Sequence, residues 1–213
     1  MKMPSWIPTT VASSLADLES LSKVVRQQSK DDPFGDALYF LANWLIVRSC
    51  GHIEITEQAC VEDLFDRCFG SVVHHYVDST AFRTGRNPNF DNLNSLLRQI
   101  DLSGRLASEL MDFLSVEYQG CTKNPIIQGT YKNCLKTIVD GRNSIVHGYS
   151  FHITAETALE YSEVAKSISE WYLKMFEPQG DAEKIILGSF PDGQENINQA
   201  RRQTAAQKLE LRS

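Results

Sequence analysis

With 213 residues, 42% of them hydrophobic and 23% charged, the chain suffices for one large domain or a domain with an appendage, and it can bury a core. A net charge of −6 points away from generic nucleic-acid coating, where a basic surface supplies affinity, but leaves room for a small phosphate site. No apolar run approaches the roughly 18 residues that cross a bilayer, and the start Met1-Lys2-Met3-Pro4-Ser5-Trp6-Ile7-Pro8 lacks the apolar segment of a secretory signal, so a cytoplasmic protein without a membrane partner is expected.

The pattern is helical nearly throughout. Val11, Leu15, Leu18, Leu21 and Val25 recur at spacings of three and four, the mark of an amphipathic first helix. Asp31-Asp32-Pro33-Phe34-Gly35 reads as a break. An apolar helix follows from about Asp36 to Ser49. Beyond Gly51 either a kink or a continuation towards Tyr76 is open, since an isolated glycine costs a helix only about 1 kcal/mol. Gly85-Arg86-Asn87-Pro88-Asn89 is a loop. Helices are expected from Phe90 to Ile100 and from Ser103 to Tyr118, with Ser103 as N-cap of the second.

After a looser stretch, Gln119 to Pro125, a helix should span Ile126 to His147. Another begins after Thr154, whose hydroxyl can cap it, and carries Ala158, Tyr161, Ala165, Ile168, Tyr172 and Met175 in a regular stripe. Glu177-Pro178-Gln179-Gly180-Asp181 breaks that helix. The expected organisation is therefore an N-terminal helix and linker over 1–35, a helical bundle over 36–176, and a loosely attached tail or partner-binding segment over 177–213, in which Asn198 to Leu211 can form a late helix. The fold class is all-α.

The five cysteines, Cys50, Cys60, Cys68, Cys121 and Cys134, are odd in number and contain no C-x-x-C pair. That argues against a zinc site or disulfide framework and for buried free thiols. His74 and His75 are adjacent, so on a helix their rings diverge by about 100°, and His52 and Glu54 diverge similarly. No metal and no cofactor are expected. Two local surpluses of positive charge stand out: Lys132, Lys136 and Arg142 against Asp140, and Arg83, Arg86, Arg98 and Arg105 against Asp91 and Asp101. Each is either a solvated helix face or a phosphate contact.

The most specific chemical pattern is Arg142-Asn143-Ser144-Ile145-Val146-His147, followed at once by Gly148. Asn143 and His147 lie one helical turn apart on one face, and glycine commonly stops a helix. Cleavage of RNA without a metal needs a base for the ribose 2′-OH, an acid for the leaving 5′-oxygen, and cations for the charge at phosphorus. An imidazole ordinarily titrates near working pH and suits proton transfer. A guanidinium can donate two parallel hydrogen bonds to a phosphate, and an amide can orient either partner. One motif histidine leaves the second proton transfer unassigned, so two copies meeting across a symmetric dimer would complete the set. Beside this stands a bland reading: a histidine in the last turn is favourable against the helix dipole and serves simply as a surface cap.

Arg142-Asn143-x-x-x-His147 resembles the signature of the HEPN superfamily, α-helical domains that include many metal-independent endoribonucleases. Leu45 to Glu54, Arg86-Asn87-Pro88-x-Phe90-x-Asn92-Leu93, and Thr154-Ala155-Glu156-x-Ala158-Leu159-Glu160-Tyr161 resemble its RiboL-PSP-HEPN branch. The likeness covers about residues 36–176. It implies an HEPN-like bundle, with an extra N-terminal helix and a polar C-terminal tail, that dimerises with its signature helices face to face. The activity implied is that of an RNase in toxin–antitoxin, anti-phage or stress systems, with RNA as substrate and an antitoxin or defence protein as partner. Arg142 and His147 match the family's catalytic pair, and Asn143 its usual polar residue. Glu54 and Arg48 match helix positions that face the site in this branch, each with a plain surface reading beside it; for Arg48 that reading is a salt bridge. His152, just past the glycine, is a further candidate for the same cleft. The alternative function is a non-catalytic HEPN-like module that binds RNA or protein.

Overall fold

A computed structural model describes residues 6–69, 88–101, 103–120 and 126–189. Among them the fold is all-α, with one isolated backbone bridge, Glu117 to Thr130, and no strand. His74, His75, Arg83, Arg86, Cys121, the loop 85–87 and the expected late helix from Asn198 to Leu211 lie outside the described residues.

Helix α1, Thr9–Asp31, forms where the apolar spacing predicts it, but its buried seam is Val11, Ser14, Leu18, Ser22 and Val25. Leu15 and Leu21 sit at the margins. The two serines lend the seam hydrogen bonds as well as closeness: Ser14 Oγ lies 3.1 Å from His52 Nδ1, and Ser22 Oγ donates to Leu18 O at 2.9 Å. Helix α1 thereby becomes part of the bundle rather than an appendage. After the break at 32–35, α2 runs Asp36–Phe69 without interruption, 34 residues or about 50 Å. Gly51 is simply a helical residue within it, and a Cβ there would meet nothing within 4 Å.

Helices α3, Phe90–Ile100, and α4, Arg105–Leu114, follow. Ser103 is not the N-cap of α4. That position is Gly104, and the buried carboxylate of Asp101 does the capping, accepting from Leu106 N at 2.9 Å and from Ser103 N and Oγ at 3.0 and 2.6 Å. Helix α4 also ends short of Tyr118, because Tyr118 N donates to Gly129 O and Tyr131 N to Val116 O. That pairing holds 126–130 out of any helix, so α5 starts later than expected, at Tyr131, capped by Thr130 Oγ1, and runs to Val146.

Helix α6, Ala155–Met175, is capped by Thr154 Oγ1 as expected. Helix α7, Asp181–Ser189, corrects the reading of a loosely attached tail over 177–189, while residues 190–213 lie outside the described residues. Its Ala182, Ile185 and Ile186 are buried in the main core, and Glu183, also buried, pairs with Arg67 of α2. The main core gathers the C-terminal half of α2 with α3 to α7, around Leu64, Leu97, Leu110, Ile138 and Tyr172. A smaller cluster joins α1, the N-terminal half of α2 and the start of α6 around Leu18, Leu45 and Ala158. Cys50, Cys60, Cys68 and Cys134 are buried free thiols. No helix among the described residues is long and apolar enough to cross a membrane.

Candidate functional site

The end of α5 is built by its two glycines. Gly141 lies buried against α2 and the returning chain: a Cβ there would stand 2.6 Å from the Phe151 ring and 3.1 Å from Ile46 Cγ2. Only the missing side chain lets the helix approach this closely. Gly148 takes φ +77, and with it Gly148 N donates to Ile145 O at 3.1 Å and Tyr149 N to Ser144 O at 2.8 Å. This double closure is a Schellman motif, which satisfies the last carbonyls of the helix. His147 is therefore the C-cap residue, exposed to solvent. Gly148 is the stop that the sequence indicated.

Arg142 and His147 are five residues apart, so their side chains leave the helix about 140° from each other. Arg142 is half-buried against α2, and its Nη1 donates to Asn143 Oδ1 at 3.1 Å. On α2, Cys50 and Glu54 lie within reach of its charge. Burial raises the carboxyl of Glu54 above its ordinary range, and the Arg142 guanidinium offsets part of that. Burial pushes the Cys50 thiol up to about 12, against the charge of Arg142 and helped by Glu54. Cys50 is thus a thiol packed behind the arginine and no nucleophile. Arg142, Asn143 and Glu54 are brought together, while His147 points outward from the same helix end.

The remaining candidates separate. Arg48 turns towards α1 and donates to Asp17 Oδ2 at 2.8 Å, an exposed salt bridge. The plain reading of Arg48 holds, and nothing joins it to Arg142. His152 is exposed in the 147–154 connection, with its ring 6.1 Å from Tyr39 near the start of α2. The expected basic surplus on α5 does not form one face: Lys136 pairs with Asp140 at 2.5 Å, Lys132 stands 3.9 Å over the Phe90 ring, and Arg142 faces α2. Arg98 and Arg105 are exposed on α3 and α4.

Two features escape the sequence. Glu160 of α6 is buried and accepts from Ile126 N and Ile127 N, at 2.8–3.0 Å, a loop anchor rather than a surface acid. The other is a groove of about 480 Å³ at the end of α5, walled by Tyr39, Phe40 and Trp44 of α2 and by Gly148, Tyr149 and Phe151. The exposed Phe40, Trp44 and Tyr149 side chains give it an aromatic rim. The unusual density of aromatic residues around positions 39–44 and 149–151 was the available signal. No protein-family model, curated protein or solved structure matches the chain.

Proposed function

We propose that the chain is a metal-independent endoribonuclease of the HEPN type, acting as a homodimer in the cytoplasm in a defence, toxin–antitoxin or stress role. The observation that carries this reading is the end of α5. It holds a half-buried guanidinium bonded to Asn143 and, one turn on from Asn143, an imidazole exposed to solvent. The resemblance of Arg142, Asn143 and His147 to the HEPN signature supports the same assignment.

In the proposed reaction one His147 removes the 2′-OH proton, and the 2′-oxygen attacks the adjacent phosphorus. The 5′-oxygen leaves with a proton from the second copy's equivalent histidine, giving a 2′,3′-cyclic phosphate and a 5′-hydroxyl. Arg142 donates to the phosphoryl oxygens as charge builds there. The 140° divergence of Arg142 and His147 on one helix gives the second copy its purpose: each groove would take its arginine and its histidine from different protomers. Glu54 would hold the arginine in place.

The test is cleavage of single-stranded RNA in EDTA. Cyclic phosphate ends, with no cleavage where the 2′-OH is replaced by hydrogen, are expected of a protein that sediments as a dimer. A requirement for a divalent metal, or cleavage of the deoxy substrate, sinks the reading. The exposed apolar side chains around His147 favour one alternative, a non-catalytic module that binds RNA or a protein partner through this face. In that case RNA is bound without products, and His147→Ala changes nothing.

A further inference from the structure

The groove at the end of α5 has two properties that its packing role does not explain. Its rim keeps large aromatic surface in water: Phe40 is 68%, Trp44 54% and Tyr149 71% exposed. At its wall Asn43 is only 6% exposed, yet its Oδ1 has no hydrogen-bond partner among the described residues. A buried amide oxygen left unpaired is costly, and a ligand with an N–H donor would recover that cost.

We propose that this groove seats one nucleobase of the bound RNA strand, stacked on Trp44 and Tyr149 with its edge N–H donated to Asn43. The inference rests on the RNase reading above and adds to it a subsite. Three things select a base. About 480 Å³ is at the small end of ligand sites and suits one planar heterocycle with its ribose. The rings offer π-faces, which every base can use. Every base edge also carries an N–H, so the Asn43 carbonyl is met whichever base enters. An aliphatic chain would leave that oxygen unmet. The place fits as well, because Ile145 and Gly148 line the groove, so a base held here would bring its flanking phosphate to the helix end that carries His147.

Fluorescence anisotropy with 5′-fluorescein pentaribonucleotides decides the matter. All riboses are 2′-O-methylated to prevent cleavage, and an abasic residue is walked through the five positions. For the wild-type chain one abasic position should weaken binding roughly tenfold, in line with the worth of one stacked base. In Trp44→Ala and in Asn43→Leu that penalty should vanish, with the abasic oligonucleotide bound as by wild type. Trp44 is exposed, so its variant keeps the test alive if Asn43→Leu folds poorly. A uniform loss over all oligonucleotides, or a penalty that persists in both variants, overturns the subsite. So does dissociation of a dimer by Trp44→Ala in sedimentation, which would assign the groove to a second copy. If the wild-type chain cuts RNA but shows no position-dependent penalty, the subsite alone fails. If it neither binds nor cuts RNA, the RNase reading fails with it.

Discussion

Along α2 the half after Gly51 and the half before it meet different surroundings. The later half sends Ile53, Val61 and Leu64 into a core shared with five other helices. There Arg67 is consumed structurally by Asp63, Glu183 and the carbonyl of Phe176. The earlier half buries Leu38, Ala42, Leu45 and Ile46 against α1 and the start of α6, and leaves Phe40 and Trp44 in water beside Asn43, whose Oδ1 has no partner among the described residues. Polar groups satisfied by the fold are doing structural service, whereas groups left open at a helix end are available to a ligand. The C-terminal end of the long helix holds the molecule together, and the stretch from Phe40 to Glu54 presents chemistry.

Variants at the two ends should therefore part company. The largest effect is expected from Arg67→Ala. Removing the cation takes the ion-pair partner from the buried Glu183 carboxylate, which keeps its hydrogen bond from Gln179 N. Breaking such a pair costs about 3–5 kcal/mol and should lower the melting temperature by about 6–20 °C in a thermal melt. A loss of under about 1 kcal/mol would show that α7 is held by its apolar contacts alone. Gly141→Ala is next. The added methyl overlaps the Phe151 ring, an overpacking that costs about 1–3 kcal/mol, and by moving Phe151 it should also weaken RNA binding at the groove. Stability and binding moving independently here would separate Gly141 from the site.

Smaller and conditional effects come from two buried groups in the middle of α2. Burial, with the charge of Glu54, raises the Glu57 carboxyl to about 8. The folded chain then keeps a proton that the unfolded chain releases above about 4.5, so stability falls as pH rises from there towards 8. Burial, with the charges of Arg48 and Lys166, lowers the His52 imidazole to about 4. The unfolded chain takes up a proton below about 6.5 that the folded chain refuses, so stability falls as pH drops from there towards 4. Glu57→Gln should flatten the alkaline side of a stability–pH curve and raise its value near pH 8. An unchanged slope would mean that Glu57 is ionised in the fold.

Much of this was legible in the chain. The periodicity of α1 and α6, the break at 31–35, the Thr154 cap and the Gly148 stop are local signals, complete within a few residues. What was not legible depends on partners far away in sequence. The delayed start of α5 comes from backbone pairing between 116–118 and 129–131, reinforced by Glu160, and neither leaves a local trace. Asp101 does more of the capping than Ser103 because its carboxylate reaches both Ser103 N before the helix and Leu106 N in its first turn, while Ser103 Oγ reaches Arg105 N only at 3.4 Å. Helix α7 looks like a polar tail until Arg67, more than a hundred residues earlier, receives Glu183. Of the candidate site, the helix-end motif could be read directly. That Arg48 belongs to Asp17 while Glu54 faces Arg142 is fixed by how α2 rotates against α1 and α5, which periodicity leaves open.

The most direct measurement pairs stability with cleavage for His147→Ala. Because the ring is exposed at the C-cap, stability in a thermal melt should fall by no more than about 0.3–1 kcal/mol, the worth of a helix-dipole contact. Cleavage of single-stranded RNA in EDTA should fall about 10²–10⁴-fold. Cleavage equal to that of the wild-type chain, or a loss fully matched by unfolding, would contradict the assignment of this helix end as a catalytic site.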